Sequence, residues 1–402
     1  MYVKKDKVNM GMLMLISLML LVFCVSKVLR GANTASTTEG GFWNYISLLY
    51  YAVVVYGILK RRVFKIRAVF VWSMIYCVVA MSFAFSHGSV MSNKSQLYNF
   101  LMIPYFFLVF VSFYLFSAEN RKTEKIILLA YIVCLFINAL TTILYLGFGN
   151  LRAMANDVYF SLCLMPFALL FIKNKFFKTA IVVLQFFVSF LANKRAGFIA
   201  LCIGLVVYYL VEANNSRKNK LSRVFGRIIL IAASIFLLYR ISYYIDSTFD
   251  YGLYDRLDRL IDDGGSGRSA MYTAIWNSFW SSNWFQILFG HGMNTAGDVV
   301  GAGRAHNDFL EIMYNYGIIA FFCMAGFYLS MIFQAVRMIR HRSHYAPAFA
   351  FSIVIGLTLS MFSYFLIFYT FVTGIVSFWG YALKMEKNGC RLNIAQPPVR
   401  SN

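Results

Sequence analysis

Charge is what this chain has least of. Of its 402 residues only 13% are Asp, Glu, Lys or Arg, about half of the roughly 25% usual in soluble domains. Acidic groups are scarcer still, 16 against 37 basic. With 60% hydrophobic residues and a mean hydropathy of +0.66, water is excluded as the only solvent. Alternating strands of the barrel kind are also absent, and open sheets cannot span lipid. No HExxH, P-loop or Gly-x-Ser-x-Gly motif occurs, so the usual signatures of zinc proteases, nucleotide hydrolases and serine esterases are missing. Neither internal repeats nor the paired interrupted spans of transporters stand out. Seven cysteines are present, but six lie in apolar runs. They read as small buried hydrophobes, not a disulfide framework or a metal centre.

What the chain does have is apolar runs of bilayer length. They fall near 10–29, 43–59, 66–85, 97–117, 124–147, 157–172, 177–192, 196–211, 225–241, 308–336, 346–363 and 364–383. The expected fold is therefore an all-α polytopic membrane protein, one transmembrane domain over 1–402 with about 12 transmembrane helices. A formal charge of +21 first points to nucleic acid, but the basic residues sit in short clusters between runs, which is how topology is encoded. With the N-terminus inside, inside segments hold 26 of the 37 lysines and arginines. That bias gives an N-in, C-in topology. The first run follows Lys4, Lys5 and Lys7 without a convincing small-x-small cleavage site, and is read as an uncleaved span.

Most outer loops are short. The exception, 242–307 between spans 9 and 10, carries seven aspartates and the Gly-rich pieces "DDGGSG" and "GHGMNTAGDVVGAGR". A loop of that length is uncommon unless functional or disordered. Within it "MYTAIWNSFWSSNW" puts Trp276, Trp280 and Trp284 at i, i+4 and i+8, joined by Tyr272 and Phe279. This spacing predicts an amphipathic Trp-rich helix near 270–285, its indoles at headgroup level, holding the loop against the membrane. A sugar-stacking platform is the other reading of the same rings.

Cations on the outer side run against the positive-inside bias, and an anionic ligand is one reason for them. Arg152 in "GNLRAMAND", Lys194 and Arg195 in "NKRAGF", Arg268 in "GGSGRSAMY" and Arg304 near the loop's end are the candidates. Guanidinium pairs with phosphate bidentately and stays charged. Arg256 and Arg259 have aspartates close by and read as salt-bridged. In "HNDFLE", Asn307 or Asp308 is the expected cap, with Asp308 and Glu311 matching a capping box. His306 is then pinned at the outer start of the tenth span, where an imidazole can take a proton from a sugar hydroxyl.

Four pieces of this sequence together resemble the O-antigen ligase and O-antigen polymerase family of bacterial integral-membrane glycosyltransferases. They are "GNLRAMANDVYF", "NKRAGFIALCIGLVVYY", "GRSAMYTAIWNSFWSSNWFQILFGHGMN" and "AHNDFLEIMYNYGIIAFF", covering roughly 147–325. Lys194 before Arg195 departs from the small or hydroxyl residues usual in the family. The resemblance implies a multi-pass protein of the bacterial inner membrane whose active site faces the periplasm. The implied donor is an undecaprenyl-diphosphate-linked oligosaccharide, with inverting transfer to an acceptor sugar hydroxyl. His306, Arg268 and Arg195 are the implied catalytic groups. Lys194, Arg152, Arg304, Asn307 and Trp276 are the implied binding groups. No metal or other cofactor is expected, and no nucleic acid. The lipid bilayer is a partner, and a chain-length regulator is a candidate protein partner. Polymerase is the expected job, ligase the alternative. A flippase is disfavoured, because the spans are nearly free of ionisable residues at mid-span.

Overall fold

A computed structural model describes residues 2–32, 41–60, 68–86, 97, 100–147, 158–192, 194–215, 236, 240, 243–244, 247, 268–301, 305–363 and 369–395. The described residues form helices and connecting turns, with no strand among them. In chain order the helices are α1 (Tyr2–Ala32), α2 (Gly41–Lys60), α3 (Ala68–Ser86), α4 (Tyr105–Phe116), α5 (Arg121–Gly147), α6 (Val158–Phe171), α7 (Lys175–Leu191) and α8 (Arg195–Asn215). After the first part of the long loop come α9 (Arg268–Trp280), α10 (Trp284–Phe289), α11 (Ala296–Val300), α12 (Asp308–Arg340), α13 (Ala346–Phe362) and α14 (Tyr369–Ala395). The apolar run near 225–241 and the acidic part of the loop lie almost wholly outside the described residues.

Four of these helices are long and apolar enough to cross a membrane, over Asn9–Leu29, Arg121–Leu144, Ala196–Asn215 and Asp308–Arg340. Shorter apolar helices stand beside them, among them Phe70–Ala84, Val158–Phe171 and Ala346–Phe362. The chain is a multi-pass membrane protein. Its outer surface carries large apolar side chains that water would penalise: Leu18, Val78, Phe136, Ile143, Phe322 and Phe333 are exposed. Contiguous apolar surface of this kind is rare on soluble monomers.

The core is aromatic. Trp379 of α14 is fully buried, with its ring against Phe110 of α4 and Phe327 of α12. Its one polar atom is satisfied, since Nε1–H donates to Ser352 Oγ of α13 at 2.8 Å. A second set of buried polar contacts ties α5, α6 and α7. Gln185 donates to Ser161 and Ser189 at 3.2 Å each, and Asn138 donates to Ser161 at 3.3 Å. Interhelical polar pairs of this sort hold spans together where lipid supplies no hydrophobic drive. The five cysteines at 24, 77, 134, 163 and 323 are buried and Cys202 is half-buried, all six as free thiols.

One helix pair positions the site. α8 packs along α13, and their contacts run in opposite order. Asn215, at the end of α8, donates to the Ser343 carbonyl just before α13 at 2.9 Å. At Gly204, mid-α8, an added Cβ would lie 2.9 Å from the Phe351 ring and 3.2 Å from Ile355. The pair is antiparallel, so the start of α8 lies at the same end of the bundle as the last turn of α13.

Candidate functional site

Two of the residues singled out in the sequence, Arg268 and Asp308, attach at that end, on the C-terminal turn of α13. Helix C-termini leave carbonyls without intrahelical donors and carry partial negative charge. Arg268, the first residue of α9, meets this need: its guanidinium donates through Nη1 to the Phe362 carbonyl. Two residues earlier, Ser360 Oγ donates to Asp308 Oδ2 at 2.9 Å. Tyr328 lies 2.8 Å from the same Ser360 oxygen. With the serine hydrogen committed to the carboxylate, the tyrosine is the donor, and the chain runs Tyr328 to Ser360 to Asp308. Asp308 is fully buried.

His306 enters through the turn into α12. Asn307 is the N-cap, accepting from the Leu310 amide at 3.1 Å. The capping box expected from Asp308 and Glu311 does not form. Glu311 instead reaches back past the cap and accepts from the Ala305 amide at 2.6 Å. The Asp308 carboxylate is taken up by Ser360, and Asn307, whose short side chain reaches its own backbone three residues on, supplies the cap. Between these anchors His306 sits half-buried with φ +55, the left-handed region that few non-glycine residues adopt. Tyr272, one turn after Arg268 on α9, donates its hydroxyl to the His306 carbonyl at 3.1 Å. Burial pushes the Tyr272 hydroxyl above the ordinary tyrosine range, with the neighbouring Arg268 charge and hydrogen bonds from Arg268 and Asn307 pulling the other way. It therefore remains a proton donor at physiological pH.

Glu311 is 2% exposed. Glu311→Ala leaves the Ala305 amide without this charged acceptor, a loss of about 2 kcal/mol. The thermal unfolding midpoint of detergent-solubilised protein is expected to fall accordingly. Glu311→Gln keeps an acceptor at the same reach and is expected to retain most of the stability. Equal loss in the two variants would mean that Glu311 acts through its charge and not by holding this turn.

Arg195 opens α8, and its backbone alone is described. By the antiparallel order of α8 and α13, it starts at the level of the last α13 turn, where Arg268 and Asp308 attach. Lys194 is half-buried, and its carbonyl receives the Phe198 amide at 3.0 Å in the opening turn. Gly197 lies directly against Tyr159 near the start of α6, with 2.9 Å from an added Cβ to the ring. Arg152 and Arg304 lie outside the described residues.

The tryptophans differ from their expected row. α9 ends at Trp280, and Trp284 begins α10. Between them Ser281 and Ser282 turn their hydroxyls onto the Ser278 carbonyl, and Asn283 caps the next helix by accepting from Gln286. These local bonds outcompete helix continuation. Trp276 and Trp280 are each about half exposed, with rings 5.6 Å apart. Phe279, expected beside them, is fully buried with Ile275 on the adjacent face of α9, its ring still 5.3 Å from that of Trp280.

A feature not anticipated from the sequence anchors the loop. α12 is broken at Gly317, with φ +80 and ψ 174. Gly290, just past α10, has φ +83. The two glycines are pressed backbone to backbone: a Cβ on Gly317 would lie 2.1 Å from the Leu288 carbonyl oxygen, and one on Gly290 2.3 Å from that of Asn315. The carbonyls freed by the break go to the "GHG" turn. His291 and Gly292 donate their amides to Tyr314 and Asn315 at 3.0 Å each. The His291 ring stacks on Tyr314 at 4.0 Å, with Ser282 2.7 Å from its Nε2. His291 is thus occupied in joining loop to helix. The sequence signals were the "GHG" and the lone Gly317, but nothing in either names the other as its partner.

An all-helical membrane protein with a loop-borne cluster of Arg268, Tyr272 and His306, set against the end of a helix that a second basic element approaches, is the class of molecule defined here. Residues 180–325 match the family model described as O-Antigen ligase. The match takes in α8, α9 to α11, the His306 turn and the Gly317 break, and leaves "GNLRAMAND" outside. No curated protein matches the chain.

Proposed function

We propose that this protein is a surface-polysaccharide polymerase acting at the outer leaflet of a bacterial inner membrane. The donor is a glycan on undecaprenyl diphosphate, and the acceptor is a sugar hydroxyl of another lipid-linked repeat unit. The acceptor oxygen attacks the anomeric carbon as the bond to the lipid diphosphate breaks, so configuration inverts. The hydroxyl proton passes to His306, and the diphosphate leaves on the carrier. Arg195 and Arg268 neutralise its developing charge, a task that guanidinium performs without a metal ion. Lys194, Arg152 and Arg304 supplement them. Trp276 offers a half-exposed ring beside the same helix, and Asn307 fixes the histidine's turn.

The observation that carries this reading is the O-antigen ligase match over the one segment that holds Arg195, Arg268 and His306. The family model's description as O-Antigen ligase favours a second reading, ligation of finished polymer to lipid A-core or another acceptor. A glycan gel from a deletion strain separates the two. Loss of a polymerase is expected to leave single repeats on the anchor. Long chains stranded on the carrier lipid would establish the ligase, and an unchanged pattern would sink both.

A further inference from the structure

The other end of the bundle holds a second polar concavity. A cavity of 290 Å³ opens where α6 ends, α7 starts, α8 ends and the turn after α12 leads into α13. It lies at the far end of α12 from His306, with residues 318–340 between them, roughly 35 Å of helix. It is therefore not part of the site described above, and nothing about it depends on the proposed glycosyl transfer.

Its lining brings together Lys178 of α7, Tyr208 and Glu212 of α8, and Arg342 and His344 of the turn. Lys178 Nζ reaches the Tyr208 hydroxyl at 3.3 Å. Arg342 and His344 are exposed at the rim. Arg342 has φ +49, a left-handed kink in the turn that carries both. That turn is fixed from two sides: Asn215 donates to the Ser343 carbonyl, and the Ser343 hydroxyl donates to Glu386. Burial, then Lys178 and Lys173, hold the His344 imidazole below its ordinary value, so it stands neutral at physiological pH and offers a ring N–H, while Lys178 and Arg342 are the cations of the lining. Topology signals explain why basic residues lie at this end. They do not explain convergence of an ammonium, a guanidinium and an imidazole from separate elements onto one cavity.

We propose that this cavity binds a phosphate ester, its phosphoryl oxygens held by Lys178, Arg342 and His344, with Glu212 in the same lining. Arg supplies a planar fork for two oxygens and Lys a point charge, the usual division of labour at phosphate. Ligand pockets begin near about 300 Å³, so the volume takes one headgroup-sized ester and excludes an oligosaccharide. The ligand comes either from the adjacent lipid leaflet or from solution.

Full-length protein in maltoside detergent tests this by thermal unfolding against three probes: inorganic phosphate, dihexanoyl phosphatidic acid, and dihexanoylglycerol as a phosphate-free control. A saturable upward shift with phosphatidic acid alone identifies a lipid source, and one with both phosphates a soluble source. The apparent Kd is expected to rise at least tenfold in Arg342→Gln and in His344→Gln. Both lie on an exposed turn, so they carry the test even where Lys178→Gln does not fold. Lys175→Gln and Arg337→Gln, exposed basic residues outside the cavity at the same end, are expected to leave binding unchanged. Absence of a shift with either phosphate, an equal shift with dihexanoylglycerol, or equal weakening in these two controls would overturn the proposal.

Discussion

Gly317→Ala is expected to lower the stability of the protein by at least about 3 kcal/mol. Two costs combine. A side chain at φ +80 strains the backbone by about 1–2 kcal/mol. The new Cβ also falls 2.1 Å from the Leu288 carbonyl oxygen, which is backbone and has no rotamer to change. The turn after α10 must move off α12, and with it go the amide bonds from His291 and Gly292. Gly290→Ala is expected to cost as much, for the mirrored reason. The double variant should fall well short of the sum, because either change alone parts the same junction. Gly301 provides the control. It is also left-handed, at φ +62, but a Cβ there meets nothing within 4 Å, so Gly301→Ala should cost only about 1–2 kcal/mol. Thermal unfolding in detergent reads all four. If Gly301→Ala and Gly317→Ala prove equally damaging, the backbone contact is not what holds the loop.

His306→Ala is expected to reduce polymer formation by a factor of about 10²–10⁴, the usual contribution of a positioned proton acceptor, with protein abundance unchanged. Arg268→Ala and Arg195→Ala should lose product on a comparable scale. The Arg268 variant should also lose some stability, since its guanidinium closes the α13 terminus. Tyr272→Phe separates positioning from chemistry. It removes the hydroxyl that holds the His306 carbonyl, about 1 kcal/mol of hydrogen bond, and keeps the ring. Activity roughly fivefold to tenfold below the parent is the expected result. Full polymer formation by all three of the His306, Arg268 and Arg195 variants at normal protein level would refute the site.

Helices were legible because apolar runs leave the backbone no other way to pair its polar groups in lipid. A cap at Asn307 or Asp308 was legible too, being written in adjacent residues, though the choice of Asn307 was not. What escaped were features made by partners distant in sequence. Gly317 looks like any glycine in an apolar helix until Gly290 is brought against it. Nothing in "TLSMFS" says that Ser360 and Phe362 will receive Asp308 and Arg268. The tryptophan row misled for a different reason. Its spacing fitted a continuous helix, but Ser281, Ser282 and Asn283 carry enough local hydrogen bonding to stop one.

The break at Gly317 also works as a depth gauge. Beyond it, residues 318–340 amount to roughly 35 Å of helix, enough for a hydrocarbon core of about 30 Å. Before it, the stub from Asp308 to Tyr316 adds at most about 14 Å. With that segment set across the core, His306 stands no more than about 14 Å of helix beyond its edge. On the function proposed above, a carrier diphosphate at that level would be within reach of the imidazole with its lipid tail still immersed.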